Sequence, residues 1–138
     1  MKFIITSIIV CFVTTIQLSA QSTEEEKAIT ATIMDYIDGT ADAEVDRIKK
    51  AFHPDLNLYS IRDGEISITE GKKYISYFED GKKRNRVGKI ISIDYENDAA
   101  IAKLEVETPN RVFTDYLLLL KAKGKWQIIH KSYTSRSK

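Results

Sequence analysis

The sequence predicts an α+β domain in which helices pack on one face of a curved, mainly antiparallel sheet. Three observations carry this expectation. Apolar residues recur at helical spacing in the first part of the chain, at Ile29, Ile33, Tyr36 and Ile37. From Lys89 onward the chain reads as strands separated by turn residues, with Ala99–Glu107 alternating inward and outward. Helical segments come first and the strand run follows, which is the α+β order rather than the alternating α/β one.

The chain has 138 residues, enough for one domain with a real core and too few for two. Residues 1–20 read as a secretory signal peptide: Lys2, an apolar run from Phe3 to Ile16, and a small residue, Ala20, before the expected cut. The run is short for a bilayer span of ~20 apolar residues. The folded domain is then 21–138, and the protein is expected to be secreted or periplasmic. Cys11 is the one cysteine and falls in the apolar run, so no disulfide, thiolate metal site or thiol nucleophile is expected in the domain. Of 21 basic residues Lys2 leaves with the signal, giving 20 against 20 acidic ones. That balance gives no bulk attraction to nucleic acid or to a membrane surface.

In order along the domain, Ser22 with Glu25, or Thr23 with Glu26, forms a capping box for a helix over Thr23–Asp38 that Gly39 stops. Asp42 caps a second helix with Val45, Ile48 and Phe52 on one face, and Pro54 ends it. Leu56–Ile61 and Glu65–Ile68 are strands around a turn at Arg62-Asp63-Gly64. Thr69 caps a third helix carrying Tyr74, Ile75 and Phe78, stopped by Gly81. Lys82, Lys83, Arg84 and Arg86 form a basic loop, read as solvated. Lys89–Glu96 puts Ile91, Ile93 and Tyr95 on one face. Ala99–Glu107 follows, with Ala100, Ala102, Leu104 and Val106 inward. The last hairpin spans Phe113–Tyr133 around Lys123-Gly124. Four leucines, Leu117 to Leu120, give its first strand two apolar faces, and both then need cover.

Phosphate-cradling glycine loops, the Gly-x-Ser-x-Gly elbow and His-Glu-x-x-His are missing. The sequence calls for no cofactor and no metal: His53 and His130 have no local second ligand. His53 is expected to satisfy the end of the second helix, and His130 to lie on either strand face. Trp126 is expected in the core. Asp115 is the odd residue, a carboxylate entering the buried strand.

The order of elements, with Phe52-His53-Pro54-Asp55 after the second helix and the closing TDYLLLLK and GKWQIIHK segments, resembles the nuclear transport factor 2-like superfamily over about residues 24–135. Within it the chain is most similar to the small secreted bacterial proteins named "Putative lumazine-binding". The resemblance implies a cone: a bent sheet wrapped around a long helix, a cystatin-like arrangement, with a pocket between them and dimers through the outer sheet face. Ketosteroid isomerases and SnoaL-like proteins share this fold. The isomerase pattern has an oxyanion hole of one tyrosine and one protonated aspartic acid, with a second aspartate as base. Carried over, the tyrosine matches Tyr36, sixteen residues before Phe52, and the acid matches Asp115. The base position, eight residues after Phe52, is Ser60, which cannot abstract a carbon-bound proton without a base of its own.

If Asp115 faces the cavity, Leu117 and Leu119 do too, while Tyr116, Leu118 and Leu120 face out. The superfamily pattern turns Gln127, Ile129, Lys131 and Tyr133 inward and Trp126 away. Leu58 and Ser60 line the cavity from the first strand, and Tyr77 or Phe78 closes it. In such a pocket a buried Asp115 among apolar residues would be protonated and act as a donor. Against this stands a plain scaffold, with Asp115 capping a strand or pairing with a lysine and Tyr36 in the core. The reading is a small-molecule-binding domain without evident catalysis, whose pocket comprises Tyr36, Asp115, Leu58, Ser60, Phe78, Ile129 and Lys131. Its ligand would be a small hydrophobic or aromatic compound of pterin or lumazine type. The alternatives are a lyase or isomerase using Asp115 as acid or base, and a structural or interaction module.

Overall fold

The computed structural model describes the backbone of residues 13–138 and side chains from Glu24 onward. The expected signal peptide, residues 1–20, therefore falls outside the residues whose side chains are described. Helix α1 (Val13–Asp42) is followed by α2 (Val45–Ala51), β1 (Phe52–Arg62), β2 (Glu65–Glu70), α3 (Gly71–Ile75), β3 (Val87–Glu96), β4 (Ala99–Glu107), β5 (Arg111–Ala122) and β6 (Lys125–Ser137). The six strands make one curved sheet in the order β2-β1-β6-β5-β4-β3. Only β1 and β6 run parallel; the other neighbours are antiparallel.

The apolar stripe of α1, Ile29, Ile33, Tyr36 and Ile37, is buried against the inner sheet face. Helix α2 adds Ile48 and Ala51 to the same core. From the sheet come Leu56 and Leu58, Ala102 and Leu104, Leu117 and Leu119, Trp126 and Ile128. The hairpin turns follow their sequences: Asp63-Gly64 and Lys123-Gly124 each place two consecutive residues at positive φ, as tight two-residue turns require.

Several local expectations are corrected. Helix α1 runs on through Ser22 and Thr23 rather than starting there, the side chains of the expected capping residues lying outside those described, and it passes through Gly39 to end at Asp42. Gly39 is a close-approach residue instead: a Cβ there would lie 3.1 Å from Ile48 Cγ1 and 3.2 Å from the Ile48 amide nitrogen. Asp42 does not cap α2. Asp80, far along the chain, accepts from the Val45 amide at 2.9 Å, while Asp42 pairs with Lys83. Strand β1 begins at Phe52, before Pro54. Thr69 does not cap α3; Glu70 holds the N-cap position, without a side-chain bond. Ile91 is 48% exposed because the β3–β4 register slips between Ile90 and Ser92, turning Ile90 inward in its place. The outer leucines are only half covered in the single chain, Leu118 at 41% and Leu120 at 43% exposure.

Candidate functional site

The site is assembled where α1 crosses the middle of the sheet. Helical spacing places Tyr36 on the buried stripe of α1. Strand alternation places Asp115 inward, two residues before Leu117. β6 is paired to β5 with Leu117 opposite Lys131, and to β1 with Leu58 opposite Lys131. Asp115, Lys131 and Leu58 thus occupy the same inner face of three neighbouring strands.

Their polar atoms meet. Tyr36 Oη donates to Asp115 Oδ2 at 2.7 Å, and Lys131 Nζ donates to the same oxygen at 2.7 Å. Lys131 Nζ also donates to Tyr36 Oη, closing a triangle. Tyr36 and Asp115 have no exposed surface and Lys131 has 4%. The ammonium lies 4.8 Å from the Tyr36 ring centroid, 5.2 Å from Tyr133 and 5.6 Å from Tyr74, so three aromatic rings surround it. Burial, then the negative charge of Asp115, pushes the Tyr36 hydroxyl well above its usual range, so it stays neutral.

Arg86 completes the cluster. Read from the sequence as part of a solvated basic loop, it is partly buried and hydrogen-bonded to the Tyr74 hydroxyl, with Tyr36 and Asp115 nearby. Burial works against its charge, but these neighbours outweigh that effect and hold it more firmly protonated than usual. The run of four cations at residues 82–86 hid it, since spacing alone does not tell an inward arginine from a solvated one. Among the described residues, two buried side-chain atoms remain without a hydrogen-bond partner: Asp115 Oδ1 and Arg86 Nε.

Of the residues expected at a pocket, Tyr36, Asp115 and Lys131 are in direct contact, and Leu58 packs beside Lys131. Ser60 lies further out and lines a groove. Phe78 is buried but reaches the cluster only through Tyr74, its ring 5.2 Å from the Tyr74 ring; Tyr77 is exposed. Ile129 does not face inward. The β5–β6 register slips between Leu118 and Leu119, leaving Ile129 as the extra residue of a bulge. Before the bulge Trp126 and Ile128 point inward and Gln127 does not; after it Lys131 and Tyr133 do. Trp126 Nε1 donates to Glu25 at 2.9 Å. His130 is on the outer face, stacked on Tyr59 at 4.7 Å. His53 Nδ1 accepts from the Asp55 amide at 3.2 Å rather than satisfying carbonyls. Of the two readings of Asp115, its bonding is that of the carboxylate paired with a lysine: it accepts from Lys131 and Tyr36 rather than donating among apolar groups.

Immediately outward along the strands a groove of about 630 Å³ opens, lined by Ser60, Ile61, Arg62, Arg111, Phe113, Tyr133, Thr134 and Ser135. Tyr133 is the shared wall, facing the groove on one side and Lys131 on the other. Among the described residues no group of three His, Cys, Asp or Glu side chains could hold a metal ion, and no helix is long and apolar enough to cross a membrane.

With the geometry in place, the chain can be set against known proteins. Residues 24–134 match the family described as "Putative lumazine-binding". The chain belongs to that family. A relative from Cladobotryum sp. named "Aldolase FrzH" is 28% identical over 117 residues, covering 83% of this chain and 94% of the relative. Among solved structures, a nuclear transport factor 2-like protein of unknown function from Silicibacter pomeroyi superposes with a TM-score of 0.74 at 21% identity, over 83% of this chain and 98% of the other. A ketosteroid isomerase-like protein from Erwinia carotovora atroseptica superposes at 0.64 and 14% identity, over 83% and 98%. These superpositions assign the family member to the nuclear transport factor 2-like fold.

Proposed function

We propose that the protein binds a small, flat, partly polar molecule in the groove on the concave sheet face, with Tyr133 and the Tyr36–Asp115–Lys131 cluster beneath it. The observation that carries this is Asp115 Oδ1, a fully buried carboxylate oxygen that accepts no hydrogen bond from the protein. Leaving such an atom unsatisfied costs about 1–3 kcal/mol, more for a charged group. A ligand that offers a donor once Tyr133 turns aside recovers that cost. The family description points to a heteroaromatic ligand of the lumazine kind. The apolar N-terminal run suggests that the domain works outside the cytoplasm, secreted or periplasmic.

The test is a binding screen of the purified protein against pterins, flavins and small ketones, repeated with Tyr36→Phe and Asp115→Asn. The expected result is a ligand whose affinity falls about tenfold or more in both variants, the scale of one lost hydrogen bond to a charged group. Unchanged affinity in both would sink the site assignment. It would leave the cluster as a structural ion pair.

A second reading has its own support. A lysine ammonium and a tyrosine hydroxyl can donate to a developing oxyanion while the carboxylate beside them moves a proton next to a carbonyl, and the Cladobotryum relative is named an aldolase. In this reading the protein is a lyase or isomerase, with Asp115 as acid or base. Proton–deuterium exchange next to the carbonyl of a bound ketone, lost in Asp115→Asn, separates it from plain binding.

The outer sheet face fits a second copy of the chain. Ile101 on β4 and Tyr116, Leu118 and Leu120 on β5 are 41–44% exposed there, with Ile101 directly opposite Leu118. Soluble monomers rarely expose such a contiguous apolar patch. Sedimentation is expected to show a dimer that Leu118→Glu dissociates.

A further inference from the structure

The groove carries information about ligand charge that the buried cluster does not. No acidic side chain lines it, whereas two guanidinium groups do, Arg62 from β1 and Arg111 from β5. Neither arginine pairs with a carboxylate among the described residues; Arg111 Nη1 donates only to Ser135 Oγ, at 2.9 Å. By contrast, the next arginine along β6, Arg136 on the other face, lies 3.8 Å from Glu105.

The sheet order explains why the two can cooperate. β6 lies between β1 and β5. Arg111 is paired opposite Ser137, its guanidinium reaching back to Ser135, and β1 runs parallel to β6 as far as Tyr59 opposite Ser132, three residues before Arg62. The two arginines therefore approach the same end of β6 from strands roughly 10 Å apart, two strand spacings, and both line the one groove. Guanidinium forks suit planar, two-oxygen recognition of carboxylate and phosphate. On the inward side the groove has two aromatic walls, Phe113 and Tyr133, with ring centroids 6.3 Å apart at 51°, so they do not stack on each other. Deeper still, Lys131 and Arg86 face a single carboxylate, Asp115, so the whole chamber has excess positive charge.

We propose that the groove selects planar aromatic acids, holding the carboxylate or phosphate between Arg62 and Arg111 and the ring against Phe113 and Tyr133. This rests on the ligand-binding reading above and adds the charge of the ligand to it. The ring's polar edge is then directed towards the buried cluster and its acid towards solvent.

Matched pairs of probes test it. 6-Carboxypterin is compared with 6-hydroxymethylpterin, and flavin mononucleotide with riboflavin, by titration against the purified protein at low and moderate salt. The first pair probes a carboxylate and the second a phosphate. At least one acid is expected to bind tenfold or more tightly than its neutral partner, with an advantage that shrinks as salt rises. Arg62→Gln/Arg111→Gln, both at exposed positions, should abolish that advantage, bringing the acid's affinity down to that of its neutral partner. Equal binding of acid and neutral probes, or an acid preference that survives in the double variant, overturns the anion subsite and leaves the groove as a binding site. No binding of any probe overturns the subsite and the aromatic-ligand reading together.

Discussion

Two charge clusters in this protein are built from almost the same parts. Between α1 and α2, Arg47 donates to Asp35 and Asp38, both at 2.9 Å, and Lys50 reaches Asp35 at 2.7 Å. Inside the cone, Lys131 meets Asp115 at 2.7 Å. The bond lengths do not tell them apart; their surroundings do. The Arg47 side chain is 32% exposed and Lys50 75%, and with Glu44 three carboxylates share two cations. Lys131 and Asp115 have almost no exposed surface, a second cation, Arg86, stands nearby without bonding the carboxylate, and one carboxylate oxygen is unpartnered. The outer network is a clip in water, where each pair contributes little. The inner one carries desolvation costs that its Coulomb attraction need not recover. A buried pair with an unused oxygen is therefore weak evidence for stability and better evidence for a task.

The largest expected effect tests this difference directly. Lys131→Met leaves Asp115 buried and unpaired, and urea unfolding should show a loss of about 3–5 kcal/mol. Replacing both partners, as in Asp115→Leu/Lys131→Met, should recover most of that loss, because the desolvation cost disappears with the charges. Arg47→Ala should cost about 1 kcal/mol or less. If Arg47→Ala proves the costlier single change, the ranking of the two clusters is wrong. Next in size is Tyr36→Phe. It removes a donor to Asp115 and an acceptor for Lys131 but keeps the ring stacked on Phe52, 5.3 Å between centroids. The expected cost is about 1–2 kcal/mol.

The two clusters also differ in how readable they were. The α1 stripe, the hairpin turn at Lys123-Gly124 and the alternation of β4 and β5 follow from periodicity alone, and Asp115 could be placed inward by parity from the leucines. Parity fails wherever one residue is added to a strand. The bulge at Ile129 reverses β6, so Trp126 and Ile128 take the inward positions that Gln127 and Ile129 were given, while Lys131 and Tyr133, beyond the bulge, keep theirs. The bulge at Ile91 reverses β3 in the same way. Nothing in local composition marks either slip, since the extra residue in each is an ordinary isoleucine. Arg86 was missed for another reason: a charge run is normally solvated, and only the packing of Tyr74 and Tyr36 around its end makes it an interior residue. Asp80 capping α2 is likewise a tertiary choice, made from 35 residues away.

The smallest expected effect separates the clusters by pH. Burial, the largest influence on Asp35, favours its protonated form, but hydrogen bonds from Lys50 and Arg47 together outweigh it and leave the folded carboxyl below its ordinary value. Asp35 therefore contributes stability that is present above the unfolded value of about 3.9 and is lost as pH falls through the lower folded value. Tyr36 has the opposite sense. Burial, then Asp115, raises its hydroxyl, so its contribution is intact below about pH 10 and is lost as pH rises beyond that, when the unfolded chain ionises first. The surface clip should thus weaken in acid and the inner cluster in alkali. Urea unfolding measured between pH 2 and pH 11 should show Asp35→Asn flattening the acid limb by a few tenths of a kcal/mol, only part of it because Glu25 and Glu105 are also lowered. Tyr36→Phe should flatten the alkaline limb. An alkaline limb left unchanged by Tyr36→Phe would mean that the Tyr36 hydroxyl does not set it, and that the inner cluster loses nothing when the unfolded chain ionises first.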